Sequence, residues 1–341
     1  YVLLGDLISK KGSRPSEIDL SKSSVKISSN SLKTMDMLPE ANSADQYREI
    51  NFKDLAFADA ARSILQESEG PTSFADDGSS PVVLIGDRVL KFFPLVFLDG
   101  FEIECQALTF LSAHSRKSPQ LLASGVFEGW NYLVMSKLPG QSLKKIWPGL
   151  DDFQKGETCY QVGRELKSIH DLSVDSAHLP GLPWTEYLVQ QVRGCLARHE
   201  KLGLRNDLLQ QIPNFLESTN LGLIESSAFL HTEVMRDHVF FDQTEDQHLR
   251  LTGFLDFEPS MIGDRDYDFA SDGLFLSSGD PRALRAFFEG YGNLEVAQTQ
   301  AFRRRIMAFL LLHKYSNLKW YLEFMPSADS LEELADLRWA L

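Results

Sequence analysis

The chain has 341 residues, 43% hydrophobic and 24% charged, a composition that excludes extensive disorder and leaves room for two modest lobes. Its formal net charge of −14 excludes broad nucleic-acid binding, which draws its affinity from lysine and arginine neutralising phosphates. A cationic small substrate, or a nucleotide that arrives with Mg²⁺, is easier to reconcile with that balance. The longest uninterrupted apolar run, Ile306 to Leu312, falls far short of the roughly 18 residues that a membrane-spanning helix needs, so no membrane partner is expected. Cys105, Cys159 and Cys195 are odd in number and widely spaced, as reduced thiols of a cytoplasmic or nuclear compartment would be, rather than a disulfide framework. The chain opens on Tyr1 rather than Met, without a basic-then-apolar leader, and reads as a piece of a larger multidomain protein.

Residues 1–50 are expected to be a linker or N-terminal extension. Lys10 to Ser43 is rich in Ser, Lys, Asp and Asn without a sustained period, and the apolar "YVLLGDLI" ahead of it reads as the end of a preceding domain or as a strand that docks elsewhere. Order is expected from Phe52, where Leu55, Ala58, Ala61 and Leu65 fall at helical spacing. Within "SFADDGSSPVVLIGDRVLKFF" two β-rich runs flank Gly86-Asp87 and predict a hairpin. Phe101, Cys105, Leu108 and Leu111 predict a helix, and "LLASGVF" and "NYLVMSKL" flank Glu128-Gly129 as a second hairpin. These elements make a small lobe over residues 51–137. From 138 to 341 helical patterns dominate, in "FQKGETCYQVGRELKSIHDLS", "WTEYLVQQVRGCLARHEKL", "RNDLLQQIPNFLEST" and the stretch from Pro281 onward. Two strand-like stretches, "HTEVMRDHVFFD" and "HLRLTGFLDFEPS", interrupt them. A small β-rich N-lobe followed by a larger helical C-lobe is an α+β arrangement.

Several chemistry-bearing residues follow one another along this order. Lys91 ends the apolar run "RVLKFF"; alone it reads as a snorkelling surface lysine. Thirteen residues later Glu104 sits in an amphipathic helix, and a strand lysine paired with a helix glutamate is how kinases hold the α- and β-phosphates of ATP. Asp77-Gly78-Ser79-Ser80 lies at a turn where small residues let backbone N–H groups approach phosphate, although the full G-x-G-x-x-G is absent. "NYLVMSKLPGQSL" either is a plain interlobe turn or presents backbone groups near Ser136 and Leu138 to adenine. His231-x-Glu233-x-x-x-x-His238 has the frame of the kinase loop H-x-D-x-x-x-x-N, and Asp256 follows between apolar residues, as a Mg²⁺ carboxylate would. "GDRDYDFA" then adds Asp264, Asp266 and Asp268.

Taken together and in this order, these segments resemble the aminoglycoside phosphotransferase-like kinases, which act on small molecules and share the bilobal protein-kinase-like fold. The resemblance spans about Ser73 to Ala270. It implies an ATP- and Mg²⁺-dependent phosphotransferase whose small-molecule acceptor offers a hydroxyl or an amine. It further implies that Lys91 contacts ATP phosphates, Glu104 fixes Lys91, Asp256 holds Mg²⁺ and Glu233 is the catalytic base, with His231 and Asp268 as scaffold. Two positions depart from the family: Glu233 stands for its aspartate, one methylene longer, and His238 for its metal-binding asparagine. Arg236 and Asp237 replace the usual proline and glycine, and Asp237 offers a further oxygen ligand. Because misplacement by about an ångström costs on the order of a hundredfold in rate, a pseudokinase that binds nucleotide or acts as a scaffold is the alternative. A third reading, a non-haem Fe(II) oxygenase, takes His231, Glu233 and His313 as its ligands. The acidic run "LDFEPSMIGDRDYD" reads either as a negative mouth for a cationic acceptor or as a solvated loop.

Overall fold

The alternating runs of the small lobe pair as five antiparallel strands: β1 (Thr72–Phe74), β2 (Val82–Ile85), β3 (Arg88–Pro94), β4 (Leu121–Phe127) and β5 (Trp130–Ser136), in spatial order β1-β2-β3-β5-β4. This computed structural model describes residues 37–341 except 67–69, 77, 115, 176–178, 223–226 and 326. Both expected hairpins are present. At the second, Glu128 (φ 48°) and Gly129 (φ 82°) both take the left-handed backbone that matches the twist of a two-residue connection.

Alternation along β3 decides which residues face which core. Leu90 and Phe92 point into an outer layer with Phe57 and Trp130, whereas Phe93 joins Leu133 and Met135 in the main core. Lys91 therefore lies on the inner side of the sheet, opposite Leu133 in the register and close to the helix that follows. Helix α1 (Ala44–Arg48) and helix α2 (Leu55–Leu65) cover the outer layer. Here the boundary drawn at residue 51 is corrected: Leu38, Ala41 and Tyr47 are buried in that layer, and Trp130 Nε1 donates to Pro39 O at 2.9 Å. Those apolar residues are too sparse to show a period, yet each fills a site on the sheet. The rest of the anticipated linker, with "YVLLGDLI", lies outside the described residues.

Helix α3 (Leu98–Ala113) packs on the inner face of the sheet and buries Glu104 along with Ala107, Leu108 and Leu111. In the large lobe, α4 (Asp152–His170) starts with a reciprocal cap between Asp151 and Gln154. It is followed by α5 (Trp184–Lys201), α6 (Pro281–Tyr291), α7 (Gln300–Leu312) and α8 (Leu331–Arg338). "RNDLLQQIPNFLEST", expected as one helix, is two short ones, Asn206–Leu209 and Ile212–Ser218, with Pro213 opening the second. No helix among the described residues is long and apolar enough to cross a membrane.

Two small sheets frame the cleft between the lobes. β6 (Gln141–Ser142), β8 (Val239–Gln243) and β9 (Leu249–Phe254) form one; β7 (Ala228–Leu230) and β10 (Met261–Gly263) form the other. The stretch 231–242 expected to be strand-like is thus strand only at its end, and residues 231–238 form a loop between β7 and β8.

Helices α4 and α6 approach to backbone contact. A Cβ on Gly163 would lie 2.1 Å from Phe287 O, and one on Gly290 would lie 2.1 Å from Tyr160 O, so each helix needs glycine where the other crosses it. Gly163→Ala is expected to destabilise the protein by about 1–3 kcal/mol through overpacking. Gly156→Ala on the same helix, where a Cβ meets only Ala286 Cβ at 3.8 Å, should be neutral or stabilising. Urea midpoints of the two variants check this.

Candidate active site

The loop after β7 is shaped by one carboxylate. Asp268 is fully buried and accepts from His231 N at 3.0 Å, Thr232 N at 2.6 Å and His170 Nε2 at 2.9 Å. These bonds replace the strand pairing that residues 231–232 would otherwise make, which is why the loop leaves the sheet here. They also hold Thr232 at φ 71°, a conformation costly for a β-branched residue, with its hydroxyl donating to Pro259 O at 3.3 Å. His170 is itself fixed by the Tyr291 hydroxyl at 2.8 Å, which ties the loop to the ends of α4 and α6.

His231 has both ring nitrogens committed: Nε2 donates to Leu255 O at 2.9 Å and Nδ1 accepts from Glu233 N at 3.3 Å. It has no lone pair for iron, and the surrounding fold is not a β-barrel. The oxygenase reading is therefore overturned. His313 stacks on Tyr267, with ring centroids 5.4 Å apart, and takes no part in an acidic cluster.

Beyond His231 the loop exposes its working groups. Among the described residues no hydrogen-bond or ion-pair partner binds the Glu233 carboxylate, which is half-buried beside His238. Burial raises its pKa above the usual carboxylate value, with His238 opposing. His238 Nδ1 lies 2.9 Å from Glu233 O, and because a carbonyl only accepts, Nδ1 carries the proton. In the neutral ring the lone pair is on Nε2, 3.4 Å from Asp256 Oδ2. Glu233, His238 and Asp256 bring one ligand atom each to within 4.8 Å of one another.

Asp237 is placed differently from the expectation. Its carboxylate is engaged by Lys144 Nζ at 2.7 Å, so it lines the cleft without joining that cluster. Arg236, the other loop replacement, donates to Phe275 O at 3.0 Å and to Ser278 Oγ, with its guanidinium 4.8 Å from the Trp147 ring. The residues that stand for proline and glycine thus fasten the loop through side-chain contacts.

Asp256 follows β9 at φ 64°, a second strained position in the cleft. Lys91 Nζ lies 2.7 Å from Glu104 Oε2 and 2.7 Å from Asp256 Oδ1, so one ammonium spans sheet, helix and large lobe. Burial opposes the charge on Lys91, but Asp256 and Glu104 outweigh it and raise its pKa above that of a free lysine. Burial would likewise neutralise Asp256, yet Lys91 and His238 hold its carboxyl well below the usual range.

These groups face a cleft of about 1120 Å³. Gly78, Ser79 and Ser80 line its roof, and the Tyr47 hydroxyl donates to Ser79 O at 2.6 Å; Asp77 lies outside the described residues. Ser136 and Leu138 line the junction between the lobes, with Ser136 Oγ accepting from Gln120 N at 2.9 Å. Of the acidic run, Asp256 lines the cleft against Lys91, whereas Asp264 and Asp266 are both engaged by Arg305 and do not line it. Arg305 is far away in sequence, as are Tyr291 and the aromatic residues Phe275, Tyr315, Trp320 and Tyr321 that wall the far end of the cleft. Sequence reasoning missed all of these, and His170 was visible only as part of "KSIHDLS".

The family model described as "Phosphotransferase enzyme family" matches residues 71–306. The GDP and kanamycin complex of APH(2")-IIia is 18% identical at a TM-score of 0.60, covering 83% of this chain and 98% of that one. Aminoglycoside-3'-phosphotransferase of type VIII is 20% identical at 0.55, covering 75% and 97%. Macrolide 2'-phosphotransferase MphH from Brachybacterium faecium is 18% identical at 0.53, covering 83% and 98%. At these identities the structural likeness shows the fold. No curated protein matches the chain.

Burial and the neighbouring His238 lower the pKa of His231 from 6.5 to about 4, and burial lowers that of His313 likewise to about 4. The folded protein binds fewer protons than the unfolded chain between those values. The stability these histidines contribute is complete above pH 6.5 and is lost as pH falls toward about 4. Urea midpoints measured across that window should fall with pH, and His231→Gln should flatten the dependence.

Proposed function

The chain belongs to the phosphotransferase enzyme family, and from that footing we propose that it is an active kinase that transfers the γ-phosphoryl group of ATP to a hydroxyl of a small molecule. The observation that carries this reading is the Lys91 ammonium held between Glu104 and Asp256, with the unpartnered Glu233 carboxylate opposite it in the same cleft. Lys91 would meet the α- and β-phosphates, with Glu104 fixing its position. Backbone groups of Gly78, Ser79 and Ser80 would close over the phosphates, and those of Ser136 and Leu138 would meet the adenine.

The donor set fits a divalent cation. Asp256 supplies a carboxylate and His238 an imidazole nitrogen 3.4 Å from it, its other nitrogen tied to a carbonyl as in many histidine metal sites. A Mg²⁺ ion held there neutralises the charge of the transferring phosphoryl group when bound. Glu233 orients the acceptor hydroxyl and takes its proton as the oxygen bonds to the γ-phosphorus and the bond to the β-phosphate oxygen breaks, releasing ADP. The raised pKa of Glu233 strengthens it as a base. His231 and Asp268 keep the loop in place from below.

Glu233→Gln is expected to lower kcat by about 10²–10⁴-fold while ADP binding, followed by calorimetry, persists. Asp256→Ala should abolish turnover. The replacements at Glu233 and His238 favour one other reading, a pseudokinase. ADP binding by the unmodified protein without transfer to any of a broad panel of alcohols and amines would establish it.

His238 also sets the choice of ion. An imidazole nitrogen suits Mn²⁺ better than Mg²⁺, which prefers oxygen. His238→Asn should weaken Mn²⁺ binding, read by electron paramagnetic resonance, and shift turnover toward Mg²⁺.

A further inference from the structure

The far end of the cleft, past Glu233, is built unlike its nucleotide end. Phe275, Tyr315, Trp320 and Tyr321 line it. Trp320 sits on a short helical turn capped by Asn317 Oδ1, which accepts the Trp320 backbone N–H at 3.2 Å. Phe275 stacks with Trp320 at 6.0 Å and 27°, and Phe324 meets it edge-on at 5.1 Å. The indole is thus held rigidly, yet Trp320 is 47% exposed and Tyr315 50% exposed. A supported aromatic ring left open in the same cleft as the Glu233 carboxylate is a stacking platform that the core does not use.

The charges point the same way. Asp237 is neutralised by Lys144 and Asp256 by Lys91, and Asp264 and Asp266 of the acidic run are engaged by Arg305 away from the cleft. The Lys314 ammonium stands 4.8 Å from the Tyr315 ring, adding positive charge at this end. Glu233 and Glu258 are the acidic groups felt there, and the Lys314 ammonium offsets Glu258, whereas a polycation needs several uncompensated carboxylates.

Resting on the kinase reading of the cleft, we propose that the acceptor is an uncharged, hydroxyl-bearing ring compound whose flat face stacks on Trp320 while its hydroxyl reaches Glu233. Trp320 is the specificity-determining residue. The flat face belongs either to an aryl group or to a sugar ring, and the two sources are separable.

The test is calorimetric titration of the whole protein, saturated with ADP, with phenyl β-D-glucoside, methyl β-D-glucoside, two neutral nucleosides and kanamycin. Binding of at least one neutral ring compound more tightly than kanamycin is expected, with a loss of roughly tenfold or more in Trp320→Ala. Trp320→Phe should restore most of the affinity, and an ADP titration of each variant shows whether its cleft is intact. A phenyl glucoside preference assigns the platform to an aryl face, and equal binding of the methyl glucoside assigns it to the sugar. Tighter binding of kanamycin, no binding by any neutral member, or unchanged affinity in Trp320→Ala overturns the proposal. Transfer from ATP is measured on the same panel. Binding that depends on Trp320 without transfer upholds the platform and its ligand class but counts against the kinase reading, whereas transfer to kanamycin alone upholds the kinase reading and overturns the platform.

Discussion

A single buried carboxylate organises the large lobe. Asp268 has no solvent exposure, and such a charge is tolerated only because three N–H donors converge on it. Two of those donors are consecutive backbone amides of the loop, so the carboxylate dictates where β7 ends and how His231 and Glu233 project. The third belongs to His170, whose other nitrogen meets Tyr291. The close crossing of α4 and α6 at Gly163 and Gly290 sets the spacing of that pair. Helix packing, loop geometry and the position of Glu233 thus form one mechanical chain, in which strain at Thr232 persists because its surroundings over-determine it.

The second organising contact is Lys91 between Glu104 and Asp256. Breaking a buried ion pair by removing one partner leaves an uncompensated charge, an outcome costing about 3–5 kcal/mol. Here the pair also joins three separate parts of the chain: a central strand, the helix behind it and the turn after β9. The small lobe therefore meets the large lobe through a charged contact that a phosphate can share. That contact is what fixes the width of the cleft beside Lys91.

The local features of this molecule were legible in its sequence. Period-two runs around Gly86-Asp87 and Glu128-Gly129 gave hairpins, and helical spacing through Phe101 and Leu111 gave α3, because both signals depend on near neighbours. The order of Lys91, Glu104, Glu233, His238 and Asp256 was enough to gather them into one cleft. What escaped was set by distant partners. Asp237 offers the same carboxylate as Asp256, but Lys144, far away in sequence, takes it. Asp264 and Asp266 read as a negative mouth or a solvated loop until Arg305 is brought against them. Leu38, Ala41 and Tyr47 carry no period, so their burial on the sheet could not be read from spacing. The aromatic wall is scattered between Phe275 and Tyr321, and only the fold makes it a surface.

The hydrogen bond from Tyr47 to Ser79 bears on how the protein can be cut and tagged. The segment matched by the family model begins at residue 71, yet Tyr47 reaches the Ser79 turn from ahead of it, and Leu331 and Trp339 are fully buried beyond its end at 306. A fragment trimmed to the matched segment would lose the brace over the roof of the cleft, Trp320 from its lining and part of the hydrophobic core together. Recombinant work therefore belongs with the longer chain, and its affinity handle belongs well away from the roof of the cleft.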